Sequence, residues 1–502
     1  MAELHASTEP GSASRLRTSG AIVAAGVPLL VTSLLAAVWV PSGRVRLFGD
    51  EPHYVIIAES VARDGDFELR NNYALEERRP RHVGGVAPHA LAIGHRWVPL
   101  HGPGLGVLIV PGLAAAGVLG TRLTTCAVAA LLPWALFVWL RGLLGRRDAL
   151  WLTLAAVLSV PYVFGAVHLY PDPVAAALAA PLLLLLAVPA GSPRRPAAWA
   201  AFWLVCGLLP LLMVKFLAPS LLLGLFALVC AWTGRTVSEE RSAVLRAAPL
   251  FVVGPVVLAA YHYATAGNVL GPRDLNELTA GLNQAGMALI GLHLDQAQGI
   301  FLQQPLFLAG VPALGVMAVR RPGLTVAWTV LYASLLGPNI IQINVYGGAS
   351  PSGRFAWPAA WLWMVPIGLA LSWHRERLAG ALRPVLVGVC AYQAALALRW
   401  LPSPMALTNE FTPDLARRSS LFPVEMRAWL PSFYVPDFLS HRPNVVAIAL
   451  VLVLLACGPL LGLWLARKGH DRDAWSPRRQ ACPSHRDLKS KPDRARSDPR
   501  RH

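Results

Sequence analysis

Charged residues are scarce in this chain of 502 residues: Asp, Glu, Lys and Arg make up 14% of it, while 55% is hydrophobic. The surface of a soluble globular protein requires about a quarter of the residues to be charged. The shortage therefore excludes a soluble globule. Several apolar runs of about 18 to 22 residues are each long enough to cross a bilayer, and they predict an all-α polytopic membrane protein.

Cysteine is also scarce. The six cysteines form no CxxC pair, and five of them lie inside apolar runs, where cysteine behaves as a small apolar residue. The pattern implies neither a disulfide framework nor a zinc knuckle. No convincing internal repeat is present, which weakens the case for a transporter fold built from inverted repeats.

Negative charge is outnumbered, and the formal net charge is +17. In a soluble protein this excess would suggest nucleic acid as a partner. Here the arginines collect in short loops between apolar runs and in the C-terminal segment, which is the usual pattern of cytoplasmic loops in membrane proteins. We therefore expect membrane lipids, and not nucleic acid, as partners.

The arginine-rich loops also predict the topology. If residues 103–118 form a re-entrant or short membrane helix, every short arginine-rich loop lies on the cytoplasmic side, and the chain has about 12 (11 to 13) transmembrane helices in a cell membrane. Both termini are then cytoplasmic. The predicted parts are a tail at 1–19, a transmembrane domain at 20–466, external loops at 42–118, 267–304 (with an amphipathic helix) and 401–444, and a basic disordered tail at 467–502.

Two adjacent acids, Asp50 and Glu51, follow the first apolar run, on the predicted external side. Neighbouring side chains point in different directions, which suits two separate roles. A carboxylate beside a cation can accept a proton from a hydroxyl group, or it can bind a hard divalent metal. The alternative is structural, because Asp-Glu-Pro is a good helix start.

Two cations stand out on the same side. Lys215 interrupts a long apolar run, and a cation inside a membrane is a candidate for a functional site. Its alternative is a lysine at a helix end whose ammonium group reaches the interface. Arg354 follows a loop of small residues, and Arg with Lys suits a phosphate or pyrophosphate. Its alternative is contact with lipid headgroups.

Further polar residues on this face are candidates for substrate binding, although Asp172 can also serve as a helix cap. A divalent metal such as Mg²⁺ or Mn²⁺ is a further hypothesis, with Glu51 and His293 as candidate ligands, but no fixed ligand spacing supports it. The remaining candidates for substrate binding are His53, His101, Asp172, Asp295 and Tyr346.

Three motifs carry a resemblance to a known family. They are GDEPHYVIIAESVARDGDFELRNNY in the first loop, YPD after a later apolar helix, and YGGASPSGRFAWP before another. Over about residues 20–370 the chain resembles the glycosyltransferase C superfamily, in particular the bacterial relatives of protein O-mannosyltransferases and aminoarabinose transferases.

The resemblance implies an enzyme that transfers a sugar, with inversion, from a polyprenyl-phosphate-linked donor to a protein, lipid or cell-envelope glycan at the outer membrane face. It implies that Asp50 is the general base, that Glu51 is its acidic neighbour and that Asp172 is the acid of the second loop. His101 stands where such enzymes often carry the Lys of Lys-Pro-Pro-Leu. Lys215 and Arg354 could then supply the missing positive charge.

Two other classes of function remain open from the sequence. A transporter or flippase of a lipid-linked or anionic substrate would use the same polar residues along a path near the bilayer midplane. A structural or assembly scaffold would have no turnover for substitutions to affect.

Overall fold

The computed structural model describes residues 10–78, 86–187, 195–233, 238–271, 281–342, 350–409, 421–433 and 444–470. In these ranges the protein is almost entirely helical, as predicted, and its single sheet has two strands. The α-helices are α1 (Pro10–Trp39), α2 (Glu51–Arg63), α3 (Arg70–Arg78), α4 (Pro103–Ala129), α5 (Leu131–Leu144), α6 (Arg146–Val157), α7 (Val160–Val167), α8 (Pro171–Ala187), α9 (Pro196–Leu212), α10 (Leu217–Trp232), α11 (Ser238–Ala247), α12 (Val253–Ala266), α13 (Leu282–Leu294), α14 (Ile300–Gln303), α15 (Gly310–Arg320), α16 (Pro322–Ile340), α17 (Trp357–Ala360), α18 (Met364–Trp373), α19 (Arg375–Trp400) and α20 (Val445–His470).

Short 3-10 turns connect or extend several of these helices. Two of these turns contain the cationic residues that the sequence predicts as site residues: Lys215 lies in Val214–Phe216 and Arg354 in Arg354–Ala356. The others are Ala248–Val252, Pro305–Ala309, Trp361–Trp363, Pro404–Leu407 and Val424–Trp429.

Many helices are apolar enough for a membrane. By length and composition six described stretches could cross one, and α6 with α7, bent by 66°, makes a seventh if the pair is one span. Four shorter apolar helices of 10 to 17 residues accompany them. The polytopic class is thus confirmed, whereas the predicted total of about 12 spans stays a prediction. The six stretches are Ser19–Trp39, Pro103–Leu144, Val214–Trp232, Glu240–Ala266, Arg354–Trp373 and Gly380–Trp400.

Helix α4 folds back on itself. Ala116 and Gly117 leave helical geometry, and Gly117 takes a φ of +57°. A Cβ atom on Gly112 would collide with the carbonyl oxygen of Gly120, and one on Gly120 with that of Gly112. Residues eight apart on a straight helix are separated by about 12 Å, so this contact requires a reversal of the chain. The reversal lies in the segment predicted to be re-entrant, whose place in the membrane stays a prediction.

The first loop is packed against the helices. Helix α2 is buried from Glu51 to Ser60, and its Ile57 fits against Gly106 of α4, where a Cβ atom would lie 2.4 Å from the isoleucine side chain. Strands β1 (Ala90–Ile93) and β2 (Arg96–Pro99) form an antiparallel hairpin with Ala90 opposite Pro99. A small apolar cluster of Ile56, Ile57, Leu69 and Tyr73 joins α2 and α3. The described parts of the first loop therefore pack on the helices, and Asp50 lies where this packing begins.

Candidate active site

Asp50 lies one residue before α2, and its side chain makes no capping hydrogen bond to that helix. Instead, its Oδ2 accepts a hydrogen bond from Nη1 of Arg354 at 2.9 Å. The Asp50 side chain remains 22% exposed, while Arg354 is buried. The carboxylate thus pairs with a cation from a loop more than 300 residues away, and the helix-cap alternative does not describe its contacts.

The surroundings of Asp50 favour its charged form. Burial alone would raise its pKa, but Arg354, His101 and His89 outweigh burial and lower the pKa from 3.8 to about 2. Asp50 is therefore ionised at neutral pH, as a proton acceptor must be.

The Arg354 guanidinium is held between aromatic rings. Its central carbon lies 4.3 Å from the centroid of the Tyr170 ring and 5.2 Å from that of Phe355. Gly353 before it takes a φ of +80°, a conformation that side chains disfavour, and its N–H donates to Oε1 of Gln298 at 2.7 Å. This contact fixes the backbone from which Arg354 reaches Asp50.

Lys215 and Asp172 form a second ion pair. The lysine lies in the 3-10 turn between α9 and α10, and Asp172 lies in the first turn of α8. The Lys215 Nζ donates to Oδ1 of Asp172 at 2.6 Å and to Oδ1 of Asn339 at 3.1 Å. Since the lysine is bonded inside the protein, it differs from a lysine that extends along a helix end into the interface.

The two ion pairs are neighbours. Lys215 Nζ lies 5.4 Å from the centroid of the Phe355 ring, the same ring that Arg354 contacts. Arg354 is also within electrostatic range of Asp172, and Lys215 of Asp50. Four charged residues that the sequence marked separately thus meet in one cluster.

Glu51 points away from this cluster. Its oxygens accept two hydrogen bonds from the guanidinium of Arg122, each 3.0 Å long. Oε1 also contacts His168 Nδ1 at 2.9 Å and accepts from the Leu169 N–H at 2.7 Å. Burial would raise the pKa of Glu51, but Arg122 and His168 outweigh it and lower the pKa to about 2. Glu51 is therefore part of a buried network that anchors the start of α2.

Sequence reasoning missed Arg122 and His168. Arg122 does carry a signal, because it interrupts an apolar stretch in the same way as Lys215. Its partner Glu51 lies 71 residues earlier in the chain, and the sequence does not identify that partner.

No protein-family model matches the sequence, and no curated protein matches it. Solved structures do resemble it. One is the crystal structure of ArnT from Cupriavidus metallidurans bound to undecaprenyl phosphate, with 18% identity and a TM-score of 0.47 over 92% of this chain and 78% of that one. The apo state of ArnT gives 18% identity and a TM-score of 0.48 over 90% and 77%.

Three histidines lie together near Asp50, and two of them, His89 and His101, are within electrostatic range of its carboxylate. The His53 ring stacks on His89 with centroids 4.4 Å apart, and His101 lies 5.6 Å from His53. Burial, only partly offset by Asp50, lowers the pKa of His101 to about 4. The ligand atoms of Asp50, His89 and His101 all lie within 4.8 Å of one another, so these three residues could hold a metal ion. Neither Glu51 nor His293, the predicted metal ligands, belongs to this group.

The remaining predicted residues have other surroundings. Asp295 is buried, and its carboxylate accepts hydrogen bonds from the N–H groups of Ala297, Gln298 and Phe433. His293 contacts the Tyr332 hydroxyl and the Leu289 carbonyl. Tyr346 lies outside the described residues.

Proposed function

We propose that this protein is a membrane glycosyltransferase that moves a sugar, with inversion, from a polyprenyl-phosphate-linked donor to a hydroxyl group of a protein, lipid or envelope glycan. The main support is the pair of neighbouring ion pairs, Asp50 with Arg354 and Asp172 with Lys215. Such a reaction needs a carboxylate to take up a proton and cations to bind a phosphate, and this cluster holds both. The motifs of the first loop and of the loop before Arg354 support the same class of enzyme.

In the proposed step, Asp50 acts as general base. The acceptor oxygen forms a bond to the anomeric carbon of the sugar, and its proton moves to the Asp50 carboxylate. The bond from the anomeric carbon to the phosphate oxygen breaks, and its electron pair remains on the phosphate. Attack from the face opposite the leaving group inverts the anomeric configuration.

The cations would stabilise the leaving polyprenyl phosphate. Arg354 offers a planar fork of donors and Lys215 a compact charge, and negative charge develops on the phosphate as the bond breaks. A phosphate that draws Arg354 away from Asp50 also removes the main interaction that lowers the carboxylate pKa. Donor binding would thereby raise the basicity of Asp50 when it is needed.

Other residues would position this cluster. Glu51, held by Arg122, fixes the first turn of α2 directly beside Asp50. His53 and His101 would line the approach to Asp50. Asp295 accepts a hydrogen bond from the Gln298 N–H, and the Gln298 side chain in turn accepts one from the Gly353 N–H. We place this cluster on the external side of a cell membrane, with both termini in the cytoplasm, on the basis of the positive-inside rule.

The test compares Asp50→Asn with Asp64→Asn, an exposed carboxylate at the other end of α2. Sugar transfer from polyprenyl-phosphate sugars is measured in membranes that contain each variant. We expect Asp50→Asn to lose at least about 100-fold in rate because the proton acceptor is gone, whereas Asp64→Asn stays near wild type. Full activity in a folded Asp50→Asn protein would show that Asp50 is not the general base.

A measurement of polyprenyl-phosphate binding distinguishes the role of Asp50 as base from the role of the cations. Asp50→Asn should bind a short-chain polyprenyl phosphate at least as tightly as wild type, because it removes a negative charge beside Arg354. Arg354→Gln should bind it more weakly. Equal binding by all three proteins would contradict the role of Arg354.

A further inference from the structure

Asn339 is a buried side chain that contacts the segments of both cations of the candidate site. It lies in the last turn of α16 and is fully buried. Its Oδ1 accepts a hydrogen bond from Lys215 Nζ at 3.1 Å, and its Nδ2 donates to the carbonyl of Phe355, the residue after Arg354, at 2.8 Å. We propose that Asn339 is a positioning residue that holds Lys215 and Arg354 at a fixed separation for one donor phosphate. This inference rests on the proposed function, in which both cations bind that phosphate.

The carboxamide of Asn339 suits this position because its two partners make opposite demands. The Lys215 ammonium group only donates hydrogen bonds, and the Phe355 carbonyl only accepts them. A carboxamide provides an acceptor and a donor in one group, and the two partners together determine which end of it carries the oxygen. A carboxylate would lose the contact with Phe355, and an apolar side chain would lose both contacts. Asn339 also adds no charge, so the positive charge of Lys215 stays available to a phosphate.

The turn that carries Arg354 is held at both neighbouring residues. On one side the Gly353 N–H donates to Gln298 Oε1 at 2.7 Å, and on the other side the Phe355 carbonyl accepts from Asn339. The backbone at Arg354 is therefore fixed, while its side chain can still change partner by rotation. A guanidinium that moves to a phosphate would thus start from a constant position.

Lys215 has a donor to offer to a ligand. Its ammonium group has three N–H groups, and among the described residues the hydrogen bonds to Asp172 and Asn339 use two of them. Lys215 is also within electrostatic range of Arg354, and both cations border the Phe355 ring. The third N–H can therefore bind an oxygen of the same phosphate that Arg354 binds.

A fixed separation makes the two cations act as one unit. Once a phosphate has bound Arg354, Lys215 is already held nearby, so the second contact requires little further ordering. Without Asn339 all four charges of the cluster remain, but the cations have to be ordered during binding. The loss of Asn339 should therefore weaken phosphate binding although no charge is removed.

The experiment measures binding of a short-chain polyprenyl phosphate to the full-length protein in detergent. Asn339→Leu replaces the carboxamide by an apolar side chain of similar shape, and we expect binding to weaken at least about tenfold. The matched control is Gln304→Met, which removes another fully buried carboxamide, one that donates to the carbonyls of Ala155 and Ala156. Both variants should lower the melting temperature, but Gln304→Met should bind the carrier like wild type. Wild-type binding by Asn339→Leu, or equal weakening in both variants, would overturn the proposal.

A double-mutant cycle tests whether the two cations act as one unit, and it needs no variant of Asn339. Lys215→Gln and Arg354→Gln should each weaken binding of the carrier. The double variant should bind at least about fivefold more tightly than the product of the two single losses predicts. Losses that simply multiply would contradict the fixed separation, and this result decides the question if Asn339→Leu does not fold.

The binding data also distinguish this inference from the proposed function. If Arg354→Gln binds the carrier like wild type, the proposed role of the cations fails, and the role of Asn339 fails with it. If Arg354→Gln weakens binding while folded Asn339→Leu does not, only the role of Asn339 is overturned.

Discussion

Asp50 and Glu51 are neighbours in the chain but have separate surroundings. Asp50 faces Arg354 and stays partly exposed, whereas Glu51 is fully buried against Arg122 and His168. The separation follows from geometry, because successive side chains at a helix start point about 100° apart. One residue is therefore open to chemistry, and the other secures the helix that carries it.

The sequence identifies a charged residue as a functional candidate when that residue adjoins or interrupts an apolar segment. Asp172, Lys215 and Arg354 each adjoin or interrupt apolar sequence, and all three lie in the cluster with Asp50. The sequence does not name their partners, which come from distant segments such as Asn339. His89 gives no signal, because only the hairpin register brings it beside His101.

Arg122→Met tests the buried network. The substitution leaves the Glu51 carboxylate buried without its main cation, and breaking such a pair costs about 3–5 kcal/mol. We expect a clear fall in the melting temperature of the detergent-solubilised protein. The matched control is Arg63→Met, at an exposed position at the end of α2.

The double variant Arg122→Met, Glu51→Gln removes both charges. It should be more stable than Arg122→Met alone, because no uncompensated charge remains. If the single and double variants melt together, unpaired charge is not the cause of the loss.

At the scale of elements, the loops around the cluster hold one another by backbone contacts. The Asp295 carboxylate binds two N–H groups of its own turn and the Phe433 N–H of a distant segment, while Gln296 donates to the Pro431 carbonyl at 2.9 Å. From the sequence, an external Asp resembles a substrate ligand. Its actual role is to accept hydrogen bonds from backbone N–H groups of two segments, and we call this contact the Asp295 clamp. The second segment lies about 140 positions later in the chain, so this role could not be predicted.

This clamp should make stability depend on pH. Burial, partly offset by the three N–H groups, raises the pKa of Asp295 from 3.8 to about 6. The folded protein then holds a proton near pH 5 that the unfolded chain has largely released, so acidification from pH 7.5 to 5 stabilises the fold, by roughly 1–3 kcal/mol. The margin in melting temperature of wild type over Asp295→Asn should widen over this range. A margin that stays constant or narrows would contradict the raised pKa.

At the scale of the whole molecule, the helices separate two sets of charges. At one end, Arg146 Nη2 donates to the Ser19 hydroxyl at 2.9 Å, Arg375 pairs with Asp148 at 3.3 Å, and Arg320 lies over the Trp373 ring. These contacts join the first half of α1 to the first turn of α6, the first turn of α6 to the start of α19, and the end of α15 to the end of α18. The Asp50 cluster lies beyond the C-terminal ends of α1 and α7. The arginine contacts and the Asp50 cluster therefore lie at opposite ends of these helices.

Short loops rich in arginine face the cytoplasm in membrane proteins, so the cluster should face outward. The test starts from a variant in which the native cysteines are replaced by alanine, and it introduces one cysteine at a time. Ser42→Cys lies in the exposed loop after α1, and Arg147→Cys lies exposed at the arginine end. In intact cells a membrane-impermeant maleimide should label Ser42→Cys at once and Arg147→Cys only after permeabilisation. The reverse pattern would place the cluster in the cytoplasm and exclude sugar transfer at the external face, because Asp50 is eight residues from Ser42 and on the same side of α1.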